Sequence, residues 1–121
     1  MSKILVVDDD VSITELLKVL LTIEGHQPTV VNESTQAMDV ADSLCPNLIT
    51  LDLMMPGLTG FELCELLQKD PYLSKIPIII VSARDDPESM DRALQAGAKA
   101  YITKPFTADD LMQKIKELSA S

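Results

Sequence analysis

Basic residues are scarce in this chain. Ten Lys and Arg stand against nineteen Asp and Glu, for a formal net charge of −9. A nucleic-acid-binding face needs the opposite balance, so binding of DNA or RNA through this domain is excluded as an expectation. No apolar run reaches the roughly 18 residues of a membrane-spanning helix. The start, Met-Ser-Lys-Ile-Leu-Val-Val, turns acidic too soon for a secretory signal. The two cysteines, Cys45 and Cys64, share no CxxC motif. Lone thiols without a secretion signal point to a reducing cytoplasm, and both read as small core or helix-face residues rather than redox or metal groups. No glycine-rich loop follows the first apolar run, so no backbone cradle for a nucleotide phosphate is offered there. Linkers, low-complexity stretches and internal repeats are also missing.

What remains is one domain of ordinary size, residues 1–121, with 46% hydrophobic residues and enough apolar material for a proper core. Lys3-Ile-Leu-Val-Val7 reads as a strand closed by Asp8-Asp9-Asp10. Leu16, Leu17, Leu20, Leu21 and Ile23 recur at helical spacing, with Ser12 as the expected N-cap and Gly25 as the stop. Pro28-Thr-Val-Val31 is a short second strand, Pro28 lying at its entry where no ladder donor is needed. Ser34 is expected to cap a helix carrying Ala37, Met38, Val40, Ala41 and Leu44, which Pro46 ends. A third apolar run begins at Leu48 and ends in a single carboxylate, Asp52. Gly60 opens a helix through Phe61, Leu63, Cys64, Leu66 and Leu67, stopped near Asp70-Pro71.

Ile76-Pro-Ile-Ile-Ile-Val81 is apolar without a break, as a central strand buried on both faces should be. It ends at Ser82-Ala83. A helix through Met90, Ala93 and Leu94 follows and closes at Gly97. Lys99-Ala-Tyr-Ile102 is the fifth strand, ending in Thr103-Lys104-Pro105-Phe106. Thr107 caps the last helix, whose apolar stripe is Leu111, Met112, Ile115 and Leu118. Strand and helix alternate five times. That pattern predicts an α/β fold, a single doubly wound five-stranded parallel sheet with helices on both faces.

In a parallel sheet all strand ends of one sense share an edge, where such sheets bind ligands. Strand one brings Asp8, Asp9 and Asp10 to that edge, strand three Asp52, strand four Ser82 and strand five Lys104. Strand two offers nothing comparable. Clustered carboxylates repel unless a cation sits among them. A hard divalent ion such as Mg²⁺ suits oxygen ligands and commonly keeps waters and a phosphate oxygen. Lys104 adds a point charge for a further phosphate oxygen, and the Ser82 hydroxyl a donor for a third.

These residues, in this order, resemble the receiver domain of bacterial two-component response regulators, a family that includes stand-alone chemotaxis-type receivers. The resemblance rests on Asp8-Asp9, on Asp52 followed by Met55-Pro56-Gly57 and Gly60, on Ser82-Ala83 and on Lys104-Pro105-Phe106. It implies a flavodoxin-like strand order of 2-1-3-4-5. It implies Asp52 as phosphoacceptor, taking a phosphoryl group from the phosphohistidine of a sensor histidine kinase or a histidine phosphotransfer protein. Asp9 and Asp52 are implied as side-chain ligands of Mg²⁺ (Mn²⁺ can substitute), Asp8 as a ligand through water, and the Met54 backbone carbonyl as a third protein ligand. Ser82 and Lys104 are implied to contact the phosphoryl group, Tyr101 to be a switch that turns inward, and the Lys104–Pro105 bond to be cis. Output is implied at the fourth helix, fifth strand and fifth helix, roughly Glu88 to Ala96, Lys99 to Ile102 and Thr107 to Leu118. In this family the domain catalyses only its own phosphorylation and dephosphorylation. The family often has Thr where this chain has Ser82, and the missing methyl loosens the rotamer.

Two rivals come from other classes. Asp8-Asp9-Asp10-Val11 fits the motif of a haloacid-dehalogenase-like phosphatase, with Asp8 as nucleophile and Asp10 as acid/base, but that reading leaves Asp52 idle and shows no cap segment. A flavin- or nucleotide-binding flavodoxin-like module fits the fold pattern but not the acids after the first strand.

Overall fold

In the computed structural model, which describes residues 2–119, five strands form one parallel sheet in the order β2-β1-β3-β4-β5. Met1, Ala120 and Ser121 of the expected 1–121 domain lie outside the described residues. The strands are β1 (Lys3–Val7), β2 (Gln27–Val31), β3 (Leu48–Leu51), β4 (Ile78–Ser82) and β5 (Ala100–Thr103). The helices are α1 (Val11–Ile23), α2 (Ala37–Leu44), α3 (Gly60–Lys69), α4 (Pro87–Gln95) and α5 (Ala108–Ser119). Register pairs Val7 with both Val31 and Leu51, Leu51 with Ile80, and Ser82 with Thr103, so β1, β2 and β3 end level and β4 and β5 run two residues further toward the same edge.

The alternation of side chains along each strand divides the core in two. Leu5, Val7, Ile49, Leu51, Ile78 and Ile80 face the side covered by α2, α3 and α4. Ile4, Val6, Leu48, Ile79 and Val81 face the side packed by Leu17 and Leu21 of α1 and Leu111 and Ile115 of α5. Burial of each such Leu or Ile is worth roughly 1.5–3 kcal/mol. β1 and β4 are apolar along nearly their whole length because both faces are covered.

Several local expectations shift. α1 is capped not by Ser12 but by Asp10, whose side chain accepts from the Ser12 backbone N–H. The apolar positions of α1 are more numerous than its buried stripe: Leu17 and Leu21 are buried, while Leu16 and Ile23 lie exposed. β4 starts at Ile78 rather than Ile76 and extends through Ser82; β5 runs from Ala100 to Thr103 rather than from Lys99 to Ile102. Ser34 does not cap α2. It opens a single 3₁₀ turn, Ser34–Gln36, and its hydroxyl is engaged elsewhere. Cys45 ends α2 in the left-handed conformation, φ 50°, and is exposed, whereas Cys64 is buried on α3. α3 begins with a capping box that the sequence reading missed: Thr59 accepts from the Glu62 N–H and Glu62 accepts from the Thr59 N–H. Thr107 caps α5 as expected, accepting from the Asp110 N–H at 3.0 Å.

Candidate functional site

The carboxyl edge of the sheet collects the expected residues. Asp8 and Asp52 directly follow β1 and β3, and both are buried. Asp9 is exposed beside them. One carboxylate oxygen from each of Asp8, Asp9 and Asp52 lies within 4.8 Å of the others. Lys104, just past β5, sends its ammonium to Asp8 Oδ2 at 2.8 Å and toward Asp52 Oδ2 at 3.5 Å. The Lys104–Pro105 bond is cis, as the resemblance implied.

Each carboxylate is also oriented by backbone. The Asp10 N–H donates to Asp8 Oδ1 at 2.9 Å, and the Leu53 N–H donates to Asp52 Oδ1 at 2.8 Å. Burial pushes the Asp8 carboxyl above its ordinary pKa, and the Lys104 hydrogen bond and the Asp10 N–H only partly offset this. For Lys104 burial acts against the charged form, but the bond to Asp8 and the charges of Asp52 and Asp8 outweigh it, and its pKa is raised.

One ammonium thus faces three acids, two of them buried. Hard oxygen donors in that number fit a hard divalent cation, and Asp8, Asp9 and Asp52 could hold one. The Met54 side chain is turned out, 54% exposed, so its identity is not fixed by packing.

Ser82 ends β4 fully buried, its hydroxyl oxygen accepting from the Arg84 N–H at 3.2 Å. Tyr101, half-buried on β5, donates its hydroxyl to the Arg84 carbonyl at 2.7 Å. The Arg84 side chain lies 3.8 Å from Met54 Sδ and 3.4 Å from Asp86 Oδ1. Sequence reasoning missed Arg84, which joins the switch pair through its backbone. It also missed Asn32. The end of strand two does carry a site-building residue: the Asn32 amide donates to the Asp8 carbonyl and to Thr14 Oγ1, both at 2.9 Å. Asp10 is occupied in capping α1, which removes the acid/base that a phosphatase using Asp8 would require.

The family model for the response regulator receiver domain matches residues 4–116. The chain belongs to that family. The DNA-binding response regulator MtrA of Mycobacterium tuberculosis (strain H37Rv) is 39% identical over 114 residues, 94% of this chain and 49% of that protein. The phosphate regulon regulator PhoB of Klebsiella pneumoniae is 36% identical over 94% of this chain and 50% of its own length. The chain therefore spans about half the length of these curated relatives. Among solved structures, a putative response regulator from Chloroflexus aurantiacus superposes with TM-score 0.95 at 27% identity, covering 99% of this chain and 98% of that one. The receiver domain of Francisella response regulator 1452 gives 0.92 at 32% identity, covering 99% and 98%. This receiver domain has a phosphoacceptor signalling role in a two-component system, and its family is phosphorylated by histidine kinases. It is a signalling domain rather than a classical enzyme. Neither the phosphatase nor the flavin or nucleotide reading is supported. No helix among the described residues is long and apolar enough to cross a membrane.

Proposed function

We propose that Asp52 of this receiver domain takes the phosphoryl group from the phosphohistidine of a sensor kinase or a histidine phosphotransfer protein. The observation that carries the reading is the pairing of Lys104 with both Asp8 and Asp52 across the sheet edge. A carboxylate oxygen of Asp52 attacks phosphorus, the P–N bond to the imidazole breaks, and the electron pair stays on the leaving nitrogen. Lys104 neutralises one phosphoryl oxygen. Ser82, whose hydroxyl oxygen accepts from the Arg84 N–H, would turn its own proton to another. Positioned charge of this kind is most of what phosphoryl transfer asks of a protein. Asp8, Asp9, Asp52 and the Met54 backbone carbonyl are the groups that would hold Mg²⁺, or Mn²⁺ in its place. When bound, the ion neutralises charge developing on the phosphoryl oxygens.

In this reading the domain works in the cytoplasm and catalyses only its own phosphorylation and dephosphorylation. Its output passes through Tyr101 to a protein partner at α4, β5 and α5, with no nucleic acid or membrane bound by this domain. The test is intact-mass measurement after incubation with acetyl phosphate and Mg²⁺. One phosphoryl adduct is expected on wild type, none without a divalent cation and none on Asp52→Asn. Full labelling of Asp52→Asn would overturn the assignment.

A further inference from the structure

The connection leaving β2 reaches both acidic loops through side chains. Asn32 donates from one amide nitrogen to the Asp8 carbonyl and to Thr14 Oγ1, each at 2.9 Å. Thr14 is fully buried and passes its own proton to the Val11 carbonyl at 3.1 Å. Asn32 therefore ties the end of β1 to the first turn of α1, the segment on which Asp9 is carried. Two residues on, Ser34 is buried and uses its hydroxyl in both senses. It donates to the Pro56 carbonyl at 2.9 Å and accepts from the Leu58 N–H at 3.0 Å.

We propose that Asn32 and Ser34 form a brace that fixes the spacing between the Asp8–Asp9 loop and the Asp52–Met54 loop, and thereby sets the affinity for the divalent cation. The inference rests on the phosphoacceptor reading of those loops. The Asp52 N–H bonds the Val7 carbonyl at the strand ends, and the Gly60 N–H bonds the Leu53 carbonyl at the entrance to α3. Between those ties the loop runs through Pro56, which has no N–H to offer, and Ser34 takes up the Pro56 carbonyl and the Leu58 N–H. Gly57, at φ +83°, packs directly on the same connection: a Cβ there would come within 3.0 Å of Thr35 Cγ2 and 3.4 Å of Ser34 Oγ. Met54 lies two residues before the clamped Pro56. A buried hydroxyl satisfied in both senses is costly to displace, so the loop is held before any ion arrives. Ligands held in advance lose less freedom on binding. Asn32 and Ser34 are positioning residues, since they act through the ligand-bearing loops.

The test is calorimetric titration of Mg²⁺ into the intact chain for wild type, Asn32→Ala, Ser34→Ala and the double variant. Asn47→Ala serves as control: Asn47 accepts from the Lys3 N–H at 2.8 Å at the opposite edge of the sheet, so it costs stability without touching the brace. Each brace variant should raise the Mg²⁺ Kd about tenfold, the low end of the range for residues that orient metal ligands, while the control stays within about twofold. The double variant should be weaker than either single one. Folded brace variants with the wild-type Kd would overturn the proposal. So would a control that loses affinity as much as they do. If the variants fail to fold, hydrogen exchange of the wild-type Leu58 amide decides. Protection within this loop is expected, and exchange at the rate of a free amide would refute the brace. A wild-type protein that binds no Mg²⁺ would strike the phosphoacceptor reading instead, and the Leu58 amide would still judge the brace.

Discussion

Lys104 stands closer to Asp8 than to Asp52, at 2.8 Å against 3.5 Å. A single ammonium thus bridges two buried carboxylates, with a third acid beside them. Repulsion among the acids is only partly compensated, and a divalent cation should relieve the rest. Because the ion binds the folded arrangement and not the unfolded chain, it should stabilise by about 2.7 kcal/mol at one hundred times its Kd. Thermal unfolding with Mg²⁺ and with chelator measures the gain. Asp9→Asn should shrink it. Since Asp9 is exposed, the same change should move the metal-free stability by no more than about 0.5 kcal/mol. Equal midpoints with and without Mg²⁺ would contradict the metal assignment.

Gly60 is required for space, not for backbone freedom. A Cβ there would overlap the Asp52 carbonyl oxygen and sit 2.7 Å from Leu53 Cα. Both neighbours are backbone, so no side chain can swing away to make room. Gly60→Ala should therefore cost about 1–3 kcal/mol, as overpacking does, and should slow phosphorylation by displacing the strand end that presents Asp52. Urea unfolding and the rate of adduct formation check the two parts. A variant as stable and as fast as wild type would show that α3 tolerates a small retreat.

The site was legible where chemistry coincided with a strand end. Asp52, Ser82 and Lys104 each stand within two residues of the last apolar position of a strand run, and parallel strands must bring such positions to one edge. Strand order was legible only through the family resemblance, because strand-helix alternation leaves several orders open. Asn32 was missed because an uncharged amide after a short strand has no local signature; its partners are 18 and 24 residues away. Ser34 was misread for a related reason. A serine before a helix looks the same whether it caps that helix or, as here, bonds a loop 22 residues along the chain. Asp10 was counted with the site acids, yet its carboxylate serves α1. Leu16 and Ile23 show the limit of periodicity, which marks apolar residues at helical spacing but not how wide a stripe the sheet covers.

The two cysteines should differ sharply in reactivity. Burial pushes the Cys64 thiol up to about 12, with the Glu65 charge adding to it, so at pH 8 it is almost wholly protonated and also shielded. Cys45 is exposed at the end of α2. Since the thiolate is the nucleophile, a thiol reagent should modify one cysteine per native chain. Raising the pH from 7 to 9 should not recruit Cys64. Denaturant should expose the second thiol. Rapid modification of two thiols in the native protein would show that the α3 side of the core opens far more readily than its packing implies.

Tyr101 and Ser82 meet through a single residue, and this makes the proposed output route testable. The Tyr101 hydroxyl holds the Arg84 carbonyl, and the Arg84 N–H holds Ser82 Oγ. Burial raises the Tyr101 pKa. Arg84 also pairs with Asp86, whose side chain caps α4 by accepting from the Ser89 N–H. If Ser82 turns its hydroxyl toward a phosphoryl oxygen, the geometry around Arg84 must readjust, and both Tyr101 and the first turn of α4 are tied to it. Displacements of about 1–2 Å are typical of such switches. Beryllofluoride, a phosphoryl mimic, should shift backbone resonances along Arg84, Asp86, α4 and β5. Changes centred on α1 and α2, with Tyr101 and its neighbours silent, would refute the route. Tyr101→Ala should leave phosphorylation of Asp52 close to wild type while weakening partner binding, because it removes the hydroxyl that holds the β4–α4 connection at the Arg84 carbonyl. Tyr101→Phe separates ring from hydroxyl. It removes one neutral hydrogen bond, worth about 0.5–1.5 kcal/mol, and should loosen the coupling to Arg84 while keeping the packing of β5.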